Sequence, residues 1–369
     1  MKFSCKREEL DRQLQYVSRV VTVRSTLPIL SNLLLETDGG FLRISATDLE
    51  LAIATQVEAV ITQEGSFTVP AKLFQDFIHQ NPDEEVSFHL QSHELVCTSQ
   101  QVEAKIPGID AEEYPALPTV EEQAKISVPT TKFIDALRQV VIACAQDQGR
   151  PVLTGVSCSI DSDGVILAAT DSFRLVERKL PGVAIATPVT ILIPFRTIQE
   201  LIRIVTQMGG SQDIEMSLSD QQVVIRIGGV ELYSRLLTGK FPKYQTLIPH
   251  EFMVNLTVPA AEFTQALRLA TIFSTAGISN VALEISEEGV LQLSSYGSQR
   301  GAATHRLQAT VEPGYKPLKA AFNARFLLDA VGATGEEIVG LKFSGPLSPL
   351  VVATGDDSYV QIVMPIRLS

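Results

Sequence analysis

Two kinds of hydrophobic pattern alternate along the chain, one with the spacing of a helix and one with the spacing of a strand. Where apolar residues recur every three or four positions, we predict an amphipathic helix. In one such window Phe133, Leu137 and Val140, with Val141 and Cys144, share a single helical face. The six windows with this spacing are 6–21, 70–82, 131–146, 194–208, 260–275 and 322–333.

The segments between these windows mostly alternate apolar and polar residues, which predicts β-strands. Asp38-Gly39-Gly40, Asp163-Gly164 and Glu288-Gly289 are typical of hairpin turns. The clearest alternating stretches are Phe41–Ile53, Glu85–Cys97, Gly164–Leu180, Val223–Leu237, Leu291–Leu307 and Tyr359–Leu368.

The whole pattern occurs three times. The segments that begin at Val69, Ile193 and Phe322 are alike and lie 124 and then 129 residues apart, and Ala46-Thr47-Asp48 recurs after 123 residues as Ala169-Thr170-Asp171. Each block of about 125 residues contains two half-units, each with one helix and about four strands. Proline and polar residues cluster between the blocks. We therefore predict three α+β domains, at residues 1–119, 120–250 and 251–369.

Repeated α+β units with open sheet edges tend to join edge to edge, and a chain of three such units either ends in caps or closes. Neither end of the sequence has an atypical capping repeat. We therefore expect a second copy to close the array, with domain 1 of one chain meeting domain 3 of the other head to tail.

Charge is distributed unevenly between the helices and the rest of the chain. The protein has 30 Lys and Arg against 42 Asp and Glu, a net charge of −12. The six helical windows nevertheless carry 11 basic and 8 acidic residues, whereas the rest carries 19 and 34. The helices are either ordinary solvated faces or the basic lining of a surface that meets a polyanion. Twelve helices from two chains would enclose a hole wide enough for a nucleic-acid duplex.

The residues needed for catalysis or metal binding are not grouped in the sequence. The four cysteines, Cys5, Cys97, Cys144 and Cys158, form no C-x-x-C motif, the five histidines are scattered, and no Gly-rich phosphate loop occurs. We expect no metal, no cofactor and no catalytic residue. An enzyme using Asp48 and Asp171 is a rival, but an aspartate at a strand end usually caps a turn. With no apolar leader and no long apolar run, we expect a cytoplasmic protein.

Several segments, taken in order over the whole chain, resemble one known family. They are Met1-Lys2-Phe3, Leu27–Leu35, Ala46–Glu50, Phe241-Pro242-Lys243-Tyr244 and Val363–Leu368. The chain resembles the bacterial DNA polymerase III β subunit family, the sliding clamps. The resemblance implies three copies of one domain per chain and a homodimeric ring, with the helices inside and the sheets outside. Such a ring encircles double-stranded DNA without sequence preference.

The resemblance also implies a role without chemistry, in which the ring tethers a polymerase to its template. The implied partners are the replicative DNA polymerase catalytic subunit, a clamp loader, and other polymerases, repair and ligation proteins that carry clamp-binding peptides. No membrane and no cofactor is involved.

Three sets of residues follow from matching the family motifs. The peptide groove would contain Leu153, Thr170, Arg174, Leu175, Pro242, Leu247, Ile362, Met364, Pro365, Ile366 and Arg367. The DNA-facing set is Arg24, Lys72, Gln146, Arg150 and Arg196, and the dimer seam is Ala104, Ile106, Ile272 and Phe273. For Leu153, Leu175 and Ile362 plain core packing is the alternative, and Ile272 and Phe273 could equally lie inside their own domain.

Four positions depart from the family pattern and leave the peptide preference open. The family often has Gly and then His or Tyr where this chain has Ser172 and Phe173, a basic groove residue is Thr246 here, and Ser369 follows the usual final Leu. Two alternatives to the main replicative clamp therefore remain, namely a specialised relative of it and a peptide-binding scaffold that never touches DNA.

Overall fold

The computed structural model describes residues 1–21, 27–118, 123–183, 185, 187–209, 212–273, 280–297 and 301–367. These residues form two compact units. Unit 1 contains Met1–Thr130 and Gln199–Leu236, and unit 2 contains Thr131–Ile198 and Leu237–Ser369. The central third of the chain is thus divided between the two units.

Unit 1 contains the whole of the first repeat and, from the second repeat, its first strand and the segment Gln199–Leu236. Its helices are α1 (Arg7–Val17) and α2 (Ala71–Gln80). Its strands are β1 (Lys2–Lys6), β2 (Asn32–Asp38), β3 (Phe41–Thr47), β4 (Leu51–Gln63), β5 (Gly65–Pro70), β6 (Glu85–Gln91), β7 (Glu94–Thr98), β8 (Glu103–Pro107), β9 (Ala124–Val128), β14 (Ile214–Leu218), β15 (Gln222–Ile227) and β16 (Val230–Arg235).

Unit 2 contains the rest of the second repeat and the whole of the third. Its helices are α3 (Thr130–Val141), the start of α4 (Phe195–Met208), α5 (Ala260–Phe273) and α6 (Ala324–Thr334). Its strands are β10 (Gly155–Ile160), β11 (Gly164–Thr170), β12 (Arg174–Pro181), β13 (Val189–Pro194), β17 (Val254–Pro259), β18 (Asn280–Ile285), β19 (Val290–Gly297), β20 (Gly301–Gln308), β21 (Thr310–Val311), β22 (Leu318–Asn323), β23 (Ile338–Phe343), β24 (Leu350–Ala353) and β25 (Tyr359–Val363).

The element order confirms the predicted repeat, because a strand, a helix and three further strands occur six times in succession, with the two-residue β21 added after the fifth set. All six helices fall on their predicted windows. The third ends at Val141, five residues early, where the amide of Ala145 turns to donate to the carbonyl of Leu153 at 2.8 Å. Four of the six long alternating stretches contain a tight turn inside them; for example, 41–53 is divided between β3 and β4 at residues 48–50. A fifth, Leu291–Leu307, is divided between β19 and β20, and the residues between these two strands lie outside the described part of the chain. Alternation continues through a two- or three-residue turn, so the pattern alone did not reveal it.

Adjacent repeats join edge to edge, as predicted. In unit 1 the strand order β8-β7-β6-β1-β4-β16-β15-β14-β9 crosses from the first repeat to the second where β4 pairs antiparallel with β16. In unit 2 the order β13-β10-β11-β12-β25-β24-β23-β17-β21 crosses from the second to the third where β12 pairs with β25. We call these pairings the first seam and the second seam.

After its last strand, each repeat returns to the strand that precedes its second helix. The amide of Ile109 donates to Thr68 of β5, that of Leu237 to Leu192 of β13, and that of Ile366 to Ala321 of β22. The donors are 128 and 129 residues apart and the acceptors 124 and 129. The C-terminal segment is therefore held by the same kind of backbone hydrogen bond as the two internal linkers, so it is a structural part of unit 2.

Candidate functional site

A turn between β11 and β12 lies beside the second seam and is held by its own side chains. The hydroxyl of Thr170 donates to the carbonyl of Arg174 at 2.7 Å and accepts from the amide of Ser172 at 3.1 Å. Asp171 Oδ1 accepts from the amides of Phe173 and Arg174, both at 2.9 Å. These bonds force Ser172 to a φ of 77°, in the left-handed region that glycine adopts at lower cost. Asp171 is a turn cap, as the sequence predicted.

Arg174 is fixed on several sides. Its Nε donates to Asp171 Oδ2 at 3.0 Å, and Nη1 donates to Asp329 of α6 at 2.5 Å. Its guanidinium also lies 4.5 Å from the ring centroid of Phe326. The side chain is only 12% exposed. A charged group held in this way forms a rigid wall, because its donors are already directed at two carboxylates.

Phe173 and the C-terminal segment lie against each other. The amide of Met364 donates to the carbonyl of Phe173 at 2.8 Å, which extends the second seam by one bond. The Phe173 ring is 62% exposed and stacks on Phe326 with the centroids 6.5 Å apart. An exposed aromatic ring beside a half-buried, flexible methionine is suited to binding apolar side chains of varied shape.

The floor beneath this surface is apolar and closely packed. Leu175 and Ile362 pair across the second seam and pack with Ala168 and Tyr244. The hydroxyl of Tyr244 donates to the buried carboxylate of Glu177 at 2.5 Å, and burial, followed by this carboxylate, raises the pKa of Tyr244. Leu153, Leu175 and Ile362 are at most 3% exposed, so all three side chains are core residues, whereas Pro242, Leu247 and Arg367 are exposed.

All eleven residues of the predicted groove lie in unit 2. The bonds and packing above join five of them directly around the second seam: Thr170, Arg174, Leu175, Ile362 and Met364. Ile366 bonds instead to Ala321 of β22. That peptides bind here remains a prediction.

Sequence reasoning missed two residues of this site, Phe326 and Asp329. Both lie on α6, more than 150 residues from the turn that they contact. Asp329 is in register with Asp76 and Glu200 of the earlier repeats, but this spacing does not indicate a contact with Arg174. Phe326 gave no signal, because an aromatic residue on an amphipathic helix is typical of a core position.

The predicted DNA-facing residues are in two kinds of place. Lys72 and Arg196 are exposed at the second residue of α2 and of α4, and Arg325 occupies the same position of α6. Gln146 and Arg150 are exposed in the turn after α3, where Arg150 Nη1 donates to the hydroxyl of Ser172 at 3.1 Å and so reaches the turn at the second seam. Arg24 lies outside the described residues.

Arg203, another basic residue of the predicted helices, is held within unit 1. It donates to the carbonyls of Gln15 and Tyr16 at the end of α1, at 3.0 and 2.8 Å, and pairs with Glu200 at 2.7 Å. Capping the last carbonyls of a helix is a favourable position for a cation. Part of the basic charge of the helices thus has a structural role.

Two of the strands that end their sheets, β8 and β20, belong to the first and third repeats; β9, β13, β21 and β22 end theirs as well. Among the described residues, β8 pairs only with β7 and β20 only with β19. The predicted seam residues Ala104 and Ile106 lie on β8, with the Ile106 side chain buried inside unit 1. Ile272, at the end of α5, is 60% exposed, and Phe273 is half-buried. Their meeting with a partner chain remains a prediction.

Reactive groups are not arranged for chemistry in the part of the chain that the structure describes. The thiols of Cys5, Cys97, Cys144 and Cys158 are buried, and burial raises the pKa of each to about 12. No three His, Cys, Asp or Glu residues converge as metal ligands there. No described helix is long and apolar enough to cross a membrane.

Models of three protein domains match the chain in succession. The N-terminal, central and C-terminal domains of the DNA polymerase III beta subunit match residues 1–118, 127–243 and 245–367. Beta sliding clamps are similar over the full length. The one from Synechocystis is 30% identical and that from Staphylococcus aureus 29% identical, with all of this chain and at least 99% of each relative covered.

Solved structures agree with these matches. The DNA polymerase sliding clamp of Bacillus subtilis superposes with a TM-score of 0.94 at 27% identity, and a sliding clamp from Pseudomonas aeruginosa bound to griselimycin with a TM-score of 0.94 at 26%. In both cases all of each chain is covered. The chain therefore belongs to the DNA polymerase III beta subunit family, the DNA sliding clamps that act as non-catalytic processivity subunits of a DNA polymerase.

Proposed function

We propose that two copies of this chain close head to tail into a ring around double-stranded DNA and tether a replicative polymerase to it. The observation that carries the ring is the pair of open strand edges, β8 in the first repeat and β20 in the third. An unpaired edge is a template for pairing with another chain. Joining β8 of one chain to β20 of the other, at both ends, pairs these two edges of each chain and closes the assembly.

The proposed seam pairs strands whose side chains suit each other. β8 carries Glu103 and Lys105, and β20 carries Arg306, so the two strands would bring charges of both signs to the seam. Ile272, exposed at the end of α5, would bury its apolar side chain in the same contact. The three repeats would then correspond to residues 1–119, 120–250 and 251–369, which the three matched domain ranges support.

DNA would pass along the basic positions of the helices. Lys72, Arg196 and Arg325 recur at one helical position, and Gln146 and Arg150 lie in an exposed turn. Such contacts to phosphate are independent of base sequence and permit sliding. Arg24 belongs to this set by its place in the sequence.

The surface around Phe173, Arg174 and Met364 would bind the partner peptides. The predicted occupants are segments of the polymerase catalytic subunit, the clamp loader, and other polymerases, repair and ligation proteins. A rigid Arg174 wall, an exposed aromatic ring and an apolar floor support this proposal. The cytoplasm, where these partners work, is the proposed location.

The decisive test is topological. The protein is loaded by its clamp loader onto closed circular DNA, and the circle is then cut once. We expect the protein to be retained on the circle and lost from the linear molecule, because a ring slides off a free end. Retention on both would indicate ordinary binding, and failure to associate with either would favour the scaffold. A native mass near twice 40.2 kDa is expected beforehand.

A further inference from the structure

A second cleft opens in unit 2, next to the proposed peptide groove but distinct from it. It has a volume of about 440 Å³ and lies between the loop 239–245 and one face of β10, β11 and β13. Of the eleven predicted groove residues, only Pro242 lines it. The volume falls in the range of sites that hold a small ligand or a few residues of peptide, so it exceeds what a bound ion needs.

The loop that forms one wall is held in place from both ends. Just before it, the amide of Leu237 donates to the carbonyl of Leu192 at 2.9 Å. Gly239 has a φ of 125°, and a Cβ there would approach Val152 Cγ1 to 2.6 Å, so the chain can bend here only with glycine. At the other end Tyr244 is buried and bonded to Glu177. The cleft is therefore a fixed feature of the loop rather than a gap between two loose segments.

The lining is positively charged in a negatively charged protein. Lys240 and Lys243 line it, and no carboxylate does so among the described residues. Neither lysine forms an ion pair with a described residue, and both are exposed. Glu177, which lies behind Tyr244, is 5% exposed and already bound by that tyrosine and by Lys179 at 3.5 Å. The opposite wall offers the hydroxyl group of Ser157 and those of Ser159 and Thr190, which bond to each other at 3.0 Å and leave one hydroxyl hydrogen to donate between them. This set of donors matches carboxylates.

The cleft and the groove share a wall. Pro242 belongs to both, and Ala168 and Tyr244, which line the cleft, pack against Leu175 and Ile362 beneath the groove. A peptide anchored in the groove therefore has an adjoining positively charged cleft within reach of the residues that flank its anchor.

We infer that this cleft binds an acidic flank of the same partner peptides, so that carboxylates next to the apolar anchor residues meet Lys240 and Lys243. The inference rests on the proposed function, because the groove must hold the anchor. It adds a second determinant of partner choice, by which peptides with the same anchor are ranked by the charge beside it.

The test compares labelled peptides by fluorescence anisotropy with the full-length protein. The probes carry a clamp-binding motif from the replicative polymerase of the same organism, extended at either end by three glutamates or by three serines. We expect the better-placed glutamate extension to tighten binding roughly three- to tenfold at low ionic strength, since two rim pairs contribute up to about 1 kcal/mol each. Added salt should reduce this gain.

Two charge-reversed proteins locate the effect. In Lys240→Glu with Lys243→Glu the ratio of serine-extended to glutamate-extended Kd should fall to one or below. In Lys2→Glu with Lys316→Glu, which changes the net charge equally at exposed positions elsewhere, the ratio should stay at the wild-type value. The neutral pair Lys240→Gln with Lys243→Gln serves if the reversed protein does not fold.

The possible results separate the two proposals. If the glutamate extension does not tighten binding to the wild type, the acidic-flank inference is wrong. It is also wrong if the tighter binding persists in Lys240→Glu with Lys243→Glu. Neither result contradicts the proposed groove. Displacement of the glutamate extension by a short oligothymidylate would assign the cleft to nucleic acid and likewise overturn the acidic-flank inference. If the serine-extended peptide does not bind the wild type at all, the proposed groove itself has failed.

Discussion

The first and second seams are built on the same backbone and carry different side chains. In the first, Thr47 and Asp48 cap a turn as Thr170 and Asp171 do in the second: Asp48 Oδ1 accepts from the amides of Glu50 and Leu51 at 3.0 and 2.8 Å. Leu49 has a φ of 79°. The amide of Arg235 donates to Glu50 at 2.9 Å, the counterpart of the bond from Met364 to Phe173 at 2.8 Å.

The two positions that face outward differ in chemistry. In the first seam they are Glu50 and Arg235, whose side chains pair with each other at 3.5 Å in an exposed position. In the second they are Phe173 and Met364, with no charge between them. The cavity beside the first turn is small, about 130 Å³, and Pro115, Ala116 and Pro118 of the following linker line it. The same backbone arrangement thus carries an apolar surface at the second seam, and at the first seam a surface whose two charged side chains pair with each other.

The largest expected effect is on peptide binding, when the two outward-facing residues of one seam are replaced by those of the other. Phe173→Glu with Met364→Arg gives the second seam the charge pair of the first, which should keep the fold and weaken partner-peptide binding by roughly 30-fold or more, the effect of losing a hot spot. Fluorescence anisotropy with the polymerase peptide measures it. The reciprocal control, Glu50→Phe with Arg235→Met, should leave that affinity as it was. Equal affinity of the wild type and the first variant would mean that the peptide binds elsewhere.

Removing one arginine from each seam should lower the stability of the second seam more than that of the first. Arg174→Ala loses two carboxylate contacts and the stacking on Phe326 from a largely buried position, so we expect the second seam to lose about 2 kcal/mol. Arg235→Ala, at a side chain 61% exposed, should cost less than about 0.5 kcal/mol. Hydrogen exchange of the β12 and β25 amides under mild urea reports the first change. Equal small losses would show that Arg174 contributes no more than a surface residue.

The strained residue of each turn offers a smaller, stabilising change. Ser172→Gly and Leu49→Gly should each raise the unfolding free energy by roughly 0.5–1 kcal/mol, because relief of the left-handed conformation outweighs the added chain entropy. Urea unfolding midpoints give the comparison. As a control, Ser87→Gly in exposed β-strand geometry should lower stability by a similar amount. Destabilisation by all three would mean that the turns are not strained.

The smallest expected effect is a loss of stability in acid, caused by Asp356 at the far end of the second seam. Hydrogen bonds from the Ser358 hydroxyl and amide, with Arg178 at 2.5 Å, lower the pKa of Asp356 from 3.8 to about 2. Because the folded pKa is below the unfolded one, the contribution is complete above pH 4 and is lost as the pH falls toward 2. Asp356→Asn should flatten the stability curve in that window. An unchanged slope in this variant would assign the acid sensitivity to other groups.

The first seam has its own carboxylate that titrates in acid. Burial alone would raise the pKa of Glu231, but the hydrogen bond from Tyr233 and the charges of Arg43 and Arg226 outweigh burial and lower it. Both seams should therefore weaken in acid rather than in base. A difference in stability between the two seams should therefore come from the groups around the two turns, and not from a general difference in acid stability.

Sequence patterns alone predicted the repeat, the six helices, the fold class and the family, because each depends on local periodicity or on spacing that is repeated along the chain. The caps at Asp48 and Asp171 were predictable for the same reason, since a Thr-Asp pair satisfies amides only two and three residues away. The turns hidden inside the alternating stretches were not, because alternation does not distinguish a strand from a hairpin.

The tertiary structure decided what the candidate site contains. It brought Phe326 and Asp329 of α6 to Arg174, and the C-terminal segment to Phe173 and Ala321, through strand pairing and helix packing between residues far apart in sequence. It also directed Arg203 to the end of α1. A periodic pattern specifies which face of an element is buried but not the partner that covers it, and that choice depends on the register of ladders formed between distant segments.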